Sequence, residues 1–306
     1  MVFGPHALRG EFMSRDLQSK RKINSMTIAP YLFIAPAVIY IICVTVIPAV
    51  MALPISFTNW SALSPKKTFV GISNYKKLFH DVAFGKSLIV MSKFFIYVPL
   101  VMAFGLIAAL LLNTSFKGKG FFRVVFYAPV ITSTVATAIL FEWFYQPTFG
   151  LFNAILKALS LPTCGWISDS NTAVMSIIIF KVWKGFGGCM LIYLAGLQDI
   201  GGEIAEAATV DGANGWQKFW HITFPLLKPA HVYLLMTNII GVFMIFQETY
   251  MLEGPLSSTK TAVNYIYEKA FESFRMGYAS AMSFMMFIVI MAITVIQQKV
   301  TKFEVV

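Results

Sequence analysis

Three kinds of residue are scarce in this chain, and each shortage closes off a class of function. There are only three cysteines, Cys43, Cys164 and Cys189. They lack metal-ligand spacing, and two lie inside apolar runs, so they read as packing residues rather than a disulfide or zinc framework. The four histidines, His6, His80, His221 and His231, do not form an H-E-x-x-H pair or any comparable cluster, which leaves an intramembrane metalloenzyme without its ligands. Charged residues make up only 12% of the chain, against about a quarter in soluble domains. No G-x-x-x-x-G-K-[ST] loop is present to cradle a nucleotide. Gly85-Lys86-Ser87 has only the tail of that motif and runs directly into an apolar stretch, so it is a chance match.

Apolar residues are abundant, at 58% of 306 residues, and mean hydropathy is +0.72. That composition belongs in a bilayer, where about 20 apolar residues make one crossing. Six apolar segments stand out, near residues 28–56, 88–112, 124–144, 173–194, 232–250 and 278–296. Backbone amides in lipid must be satisfied within the segment, so each is expected to be a helix and the protein an all-α membrane protein of six transmembrane helices. Pro30, Pro36, Pro48 and Pro54 crowd the first segment, and its helical core is expected to be shorter than its apolar run. Residues 26–306 are read as one six-helix membrane domain. Residues 1–25 are read as a separate cytoplasmic segment, whose opening dozen, MVFGPHALRGEF, is either native or vector-derived and lacks the core and cleavage site of a signal peptide.

The formal charge of +10 points to anionic lipid rather than to nucleic acid, because the basic residues gather near segment ends without an aromatic-plus-basic module. Arg9, Arg15, Lys20, Arg21 and Lys22 precede the first segment, and Lys117, Lys119 and Arg123 sit in a tight loop between the second and third. That placement puts both termini inside, although Lys66, Lys67, Lys76, Lys77 and Lys86 fall on the other side and make the bias shallow.

Residues 199–229 are the polar exception, set between the fourth and fifth apolar segments. Glu203 and Glu206 stand one turn apart, Ala207 and Ala208 leave a helix surface flush, and Gly212 can take the positive φ that ends a short helix. Asn214 followed by Gln217 spells a capping box for a second short helix. Trp216, Phe219, Trp220 and Thr223 recur on that helix at helical spacing and are expected at the membrane interface. Pro225 and Pro229 then separate it from the next span. We read the loop as a docking element.

Polar residues within the apolar segments are the second functional signal, since charge at membrane depth is costly unless it faces a cavity or a partner. The candidates are Lys93, Glu142, Lys181, Lys184, Gln247 and Glu248. Trp183 and Lys184 precede Gly185, Gly187 and Gly188, a run expected to break or loosen its helix. Phe246, Gln247, Glu248, Tyr250 and Asn238 place aromatic faces and amide or carboxylate groups on one segment, the pair of chemistries that holds a sugar. These five, with Trp183 and Lys184, form the candidate substrate pathway. Glu142 and Glu248 also fit simple snorkelling or a structural ion pair.

The pattern E-A-A, three residues, G, nine residues, I-x-hydrophobic-P is met by Glu206, Ala207, Ala208, Gly212, Ile222 and Pro225. It resembles the signature of membrane subunits of binding-protein-dependent ATP-binding cassette (ABC) importers, with Phe224 in place of the usual Leu. LIYLAGLQDI, FYAPVITSTVA and YEKAFESFRMGYASAMS are similar to the carbohydrate-importing, maltose-type branch, although Glu253-Gly254-Pro255 stands where Gly-Gly-Pro is common there. The resemblance implies a type I importer permease fold in a bacterial cytoplasmic (inner) membrane, working by alternating access. It also implies that a coupling helix carrying Glu206, Ala207, Ala208 and Gly212 sits in a groove of a separate ATPase. The implied partners are an ATPase dimer, a second homologous permease subunit, an extracytoplasmic solute-binding protein and a saccharide. ATP and Mg would be bound on the ATPase, with no cofactor, catalytic residue or metal on this chain. The alternative, a secondary transporter or channel working without an ATPase, calls for inverted repeats, and no repeat is detectable here.

Overall fold

A computed structural model describes residues 25–301, so the basic N-terminal stretch and Lys302 lie outside the described residues. By internal contacts the chain divides into two compact units, residues 1–52 and residues 53–306. The described part of the first unit is helical. The helix Pro30–Ser56 is long and apolar enough to cross a bilayer, and none of its hydrophobic window is buried. The expected shortening by proline does not occur. A π turn at Ile42–Val46 widens the backbone around the Val44 carbonyl, the one that the ring of Pro48 would strike, so the helix passes through its prolines.

Among the described residues of the second unit the architecture is all helical, with one isolated antiparallel bridge, Thr58 to Phe69. Four further helical stretches have the length and apolarity of a span: Val82–Asn113, Ala173–Asp199, Lys228–Met251, which is interrupted after Phe243, and Met276–Lys299. Val82–Asn113 starts six residues before the expected boundary because Asp81 caps it, accepting from the amides of Ala83 and Phe84. A 3-10 turn at Phe94–Ile96 contains Phe95, whose carbonyl Pro99 would otherwise hit.

The third expected span is not one helix. It is Lys119–Ile131 followed by Thr134–Phe144, bent by 96° at the break. Pro129 stands in the last turn of the first half. Thr132 is extended, and the Ser133 hydroxyl caps the second half by accepting from the Ala136 amide. Hydroxylated residues at a break supply local partners that compete with the continuing helix. The opposite correction applies to the fourth segment. Ala173–Asp199 is an unbroken helix of 27 residues despite its glycines. Gly187 lies against the backbone of Phe126, and Gly185 lies against the Tyr97 hydroxyl. The glycines therefore serve close helix packing, which in lipid is driven by van der Waals contact and small residues rather than by the hydrophobic effect.

This central helix packs along Val82–Asn113 and Lys119–Ile131. Phe94, Val101, Ala109, Ile177, Phe180 and Met190 make the floor of the main core. A second core joins Leu78, Phe84 and Met91 to Phe243, Tyr265 and Met282. Its polar rivet is Asp81, which accepts from the hydroxyls of Tyr278 at 2.7 Å and Tyr265 at 3.0 Å. Desolvation pushes the Asp81 carboxyl up. The hydrogen bonds from Tyr278, the Phe84 amide, Tyr265 and the Ala83 amide outweigh it and hold the group below the ordinary carboxylate value. Burial, together with the same carboxylate, drives the Tyr265 phenol upward.

Candidate functional site

Two regions carry the chemistry singled out in the sequence. The first is the polar loop after the central helix. Glu203 lies in the first turn of the helix Gly202–Val210, where a carboxylate is favoured by the macrodipole. Glu206 and Ala207 are exposed, and Val210 is 88% exposed. Ala208 faces the other way and is buried, so the two alanines do not share one outward surface, as expected for side chains about 100° apart. Gly212 has φ +82, and its amide donates to the Thr209 carbonyl at 3.1 Å. The Ala213 amide reaches back to Ala208 at 2.9 Å, closing the helix with a left-handed residue. The capping box is complete: the Gln217 amide donates to Asn214 Oδ1, and the Asn214 amide donates to Gln217 Oε1, each at 2.9 Å.

Past Gly215–Lys218 the chain continues through a π turn at Phe219–Thr223 into Phe224–Leu226. Only Leu227 separates this stretch from Lys228–Phe243, so the two prolines divide it from the next span by a single residue. Trp216 and Trp220 are exposed, and Trp220 lies 5.1 Å from the Phe224 ring. A cleft of about 270 Å³ at the root of the loop is lined by Asp199, Ile200, Ile204, Leu226 and Pro229 among others.

The second region lies where two helical segments are interrupted. The fifth apolar segment runs helically to Phe243 and resumes at Gln247–Met251. The intervening Ile245 carbonyl, freed by the break, accepts from Thr261 Oγ1 at 3.0 Å, so a buried carbonyl is satisfied by protein. Glu248, in the first turn of the resumed helix, pairs with Lys181 of the central helix at 2.8 Å, both side chains about 15% exposed. The same ammonium lies 5.0 Å from the centre of the Tyr97 ring. Lys184, one turn on, donates to the carbonyls of Pro129 at 3.0 Å and Thr132 at 2.7 Å.

Beside this pair the rings of Phe246 and Tyr250 stack at 5.3 Å, and Tyr267 stands 5.1 and 5.6 Å from them. Phe271 extends the row 5.0 Å beyond Tyr267. The row borders a polar hollow of about 90 Å³ lined by Tyr250, Glu253, Lys260, Asn264, Glu268 and Glu272. Lys260 donates to Glu268 at 3.0 Å, and Lys269 pairs with the other oxygen. Burial raises the Glu268 carboxyl, but hydrogen bonds from Lys269 and Lys260 outweigh it and leave the group below its ordinary value.

The seven pathway candidates therefore divide. Phe246, Gln247, Glu248 and Tyr250 come together, with Gln247 exposed. Asn238 spends its amide on the Leu234 carbonyl at 2.8 Å and on Cys189 Sγ at 3.7 Å. Trp183 packs on Phe141 at 4.9 Å and lines an apolar groove with Leu100, Phe104 and Phe186. Sequence reasoning left Tyr267, Phe271 and Lys260 out of the set, although Tyr267 and Phe271 show an i, i+4 aromatic spacing that flags a helical face.

Residues 102–302 match the family described as binding-protein-dependent transport system inner membrane component, and the chain belongs to it. Among curated relatives, the probable ABC transporter permease protein YurN of Bacillus subtilis is 36% identical over 92% of this chain and 98% of its own length. The trehalose/maltose transport system permease protein MalF of Thermococcus litoralis is 32% identical over 95% and 99%. The fold matches a chain from the crystal structure of a bacterial ABC transporter that imports the acidic polysaccharide alginate, with a TM-score of 0.80, 22% identity and coverage of 91% and 96%.

Proposed function

We propose that this chain is a membrane-spanning subunit of an ATP-driven, binding-protein-dependent importer, that its cargo is a saccharide, and that it works by alternating access. The observation that carries the reading is the exposed helix Gly202–Val210, closed by Gly212 at φ +82 and followed by a complete capping box, between two helices long enough to cross a bilayer. A rigid projection of this kind, with Glu206 and Ala207 outward, suits a groove on a separate ATPase, which binds the ATP and Mg. Val210 extends the same outward face. Ala208 packs behind it, and Gly212 ends it.

On this reading the loop and both chain termini lie on the cytoplasmic side of a bacterial inner membrane. The resumed helix Gln247–Met251 and the hollow near Glu268 then lie toward the outside, where a solute-binding protein delivers cargo. Phe246 and Tyr250 offer ring faces to the C–H surfaces of a sugar, and Gln247 and Glu248 offer acceptors and donors to its hydroxyls. Asn238, Trp183 and Lys184 shape the passage. Relatives named as permeases for trehalose/maltose and for arabinooligosaccharides support a carbohydrate cargo. A second, homologous permease subunit completes the path.

Ala207→Arg tests the docking. A guanidinium on a surface built for a methyl overfills the groove, so the variant inserts into membranes normally and no longer co-purifies with the ATPase. Unchanged assembly and uptake would refute the docking assignment.

A further inference from the structure

The bend in the third apolar segment ends the helix Lys119–Ile131 with a Thr132 whose backbone is extended. Helix-terminal carbonyls need partners, and inside a bilayer water cannot supply them. Lys184 Nζ takes two of them, Pro129 O and Thr132 O, and the Thr132 hydroxyl also donates to Pro129 at 2.6 Å. The ammonium thus sits at a helix C-terminus, where the macrodipole favours a cation. It comes from another element: the central helix Ala173–Asp199. Three residues further along that helix, Gly187 meets the Phe126 backbone, so the bent segment is gripped at two points.

Three residues earlier, Lys181 holds Glu248 in the first turn of the other resumed helix, Gln247–Met251. That helix packs on Thr134–Phe144, the second half of the bent segment. Both interruptions are therefore tied to one rod by lysines one turn apart. The rod is unbroken for 27 residues, about 40 Å, and it leads through Ile200 and Gly201 into the exposed helix Gly202–Val210.

We propose that Lys184 is a positioning residue for transport, clamping the bend at Thr132–Ser133 to the central helix so that movement entering at the loop is delivered to the bend. The inference rests on the coupling role given above to Gly202–Val210. It takes Lys184 out of direct contact with the saccharide and makes it part of the linkage.

The test uses the complete complex in proteoliposomes with saccharide-loaded binding protein, comparing Lys184→Met with Lys184→Arg. The methionine keeps the length and apolar stem and loses every N–H donor, whereas the arginine keeps donors and charge. Lys184→Met is expected to retain the ATPase and to keep the half-saturating concentration of loaded binding protein within about twofold. Its maximal uptake should fall at least about tenfold while more ATP is consumed per sugar moved. Lys184→Arg should recover uptake to within about threefold of the unaltered complex.

Unchanged uptake in Lys184→Met would overturn the proposal. So would an intact maximal rate with a half-saturating concentration raised about tenfold, the signature of a lost saccharide contact. An arginine variant no better than the methionine one would overturn it as well. If Lys184→Met does not accumulate, Lys184→Leu, which also removes every N–H donor and keeps an apolar side chain, takes its place under the same criteria. Failure of the coupling reading registers separately, as an Ala207→Arg complex that assembles and transports normally.

Discussion

Asp81 shows how one side chain joins parts of the chain that are far apart in sequence. Its carboxylate caps Val82–Asn113 and receives hydroxyl hydrogen bonds from Tyr265 and Tyr278, 184 and 197 residues away. The hydrogen bonds favour the ionised form, so the folded state holds Asp81 below the ordinary value of 3.8. A depressed carboxylate stabilises the fold fully above its unfolded value and loses that contribution as pH falls through the folded one. Asp81→Asn is therefore expected to lower the thermal midpoint in detergent at pH 7, and the gap from the unaltered protein should close as pH drops below 3.8. Tyr278→Phe removes one charge-assisted bond, about 1.5–3 kcal/mol, and should show the same pH dependence. A gap that persists unchanged at low pH would mean that packing, rather than ionisation, accounts for the loss.

Helices in this protein are decided by what their special residues touch. Gly187 and Gly188 are neighbours on the central helix with different surroundings. A Cβ at Gly187 would run into the Phe126 backbone, whereas one at Gly188 meets nothing within 4 Å. Gly188→Ala should leave yield and monodispersity unchanged, and helix propensity would even favour it by about 1 kcal/mol. Gly187→Val should force the central helix away from Lys119–Ile131 and collapse the monodisperse peak, an overpacking cost of about 1–3 kcal/mol or more. Equal behaviour of the two variants would show that close packing against Phe126 does not require a glycine at 187. Prolines divide in the same way. Pro48 and Pro99 are absorbed by a π turn and a 3-10 turn, whereas Pro129 stands just before a true break.

On the proposed coupling, the loop, the central helix and the two interruptions would form one route from an ATPase to the cargo. The aromatic row Phe246, Tyr250, Tyr267 and Phe271 beside the carboxylates of Glu253, Glu268 and Glu272 suits sugars that present C–H faces and hydroxyls. Reconstituted with its partners, the complex should hydrolyse ATP faster when its binding protein carries a saccharide. Tyr250→Ala should cut that stimulation by about 1–2 kcal/mol of coupling, five- to thirtyfold. Stimulation that is indifferent to the cargo would remove saccharide recognition from this surface.

Composition and hydrophobic run length were enough to read an all-helical membrane protein and to place its apolar segments, because lipid leaves the backbone no alternative to satisfying its own amides. The loop was legible too: Gly212, Asn214 and Gln217 act on neighbours within a few residues, so their geometry follows from local spacing. The bend at Thr132, the integrity of the glycine-rich helix and the pairing of Lys181 with Glu248 were not legible. Each depends on a partner 50 or more residues away: a lysine that caps a distant carbonyl, a backbone that fills a glycine notch, a carboxylate that neutralises an ammonium. Such choices are made only when the helices meet, because the free energy of a buried charge or a freed carbonyl depends on what stands beside it.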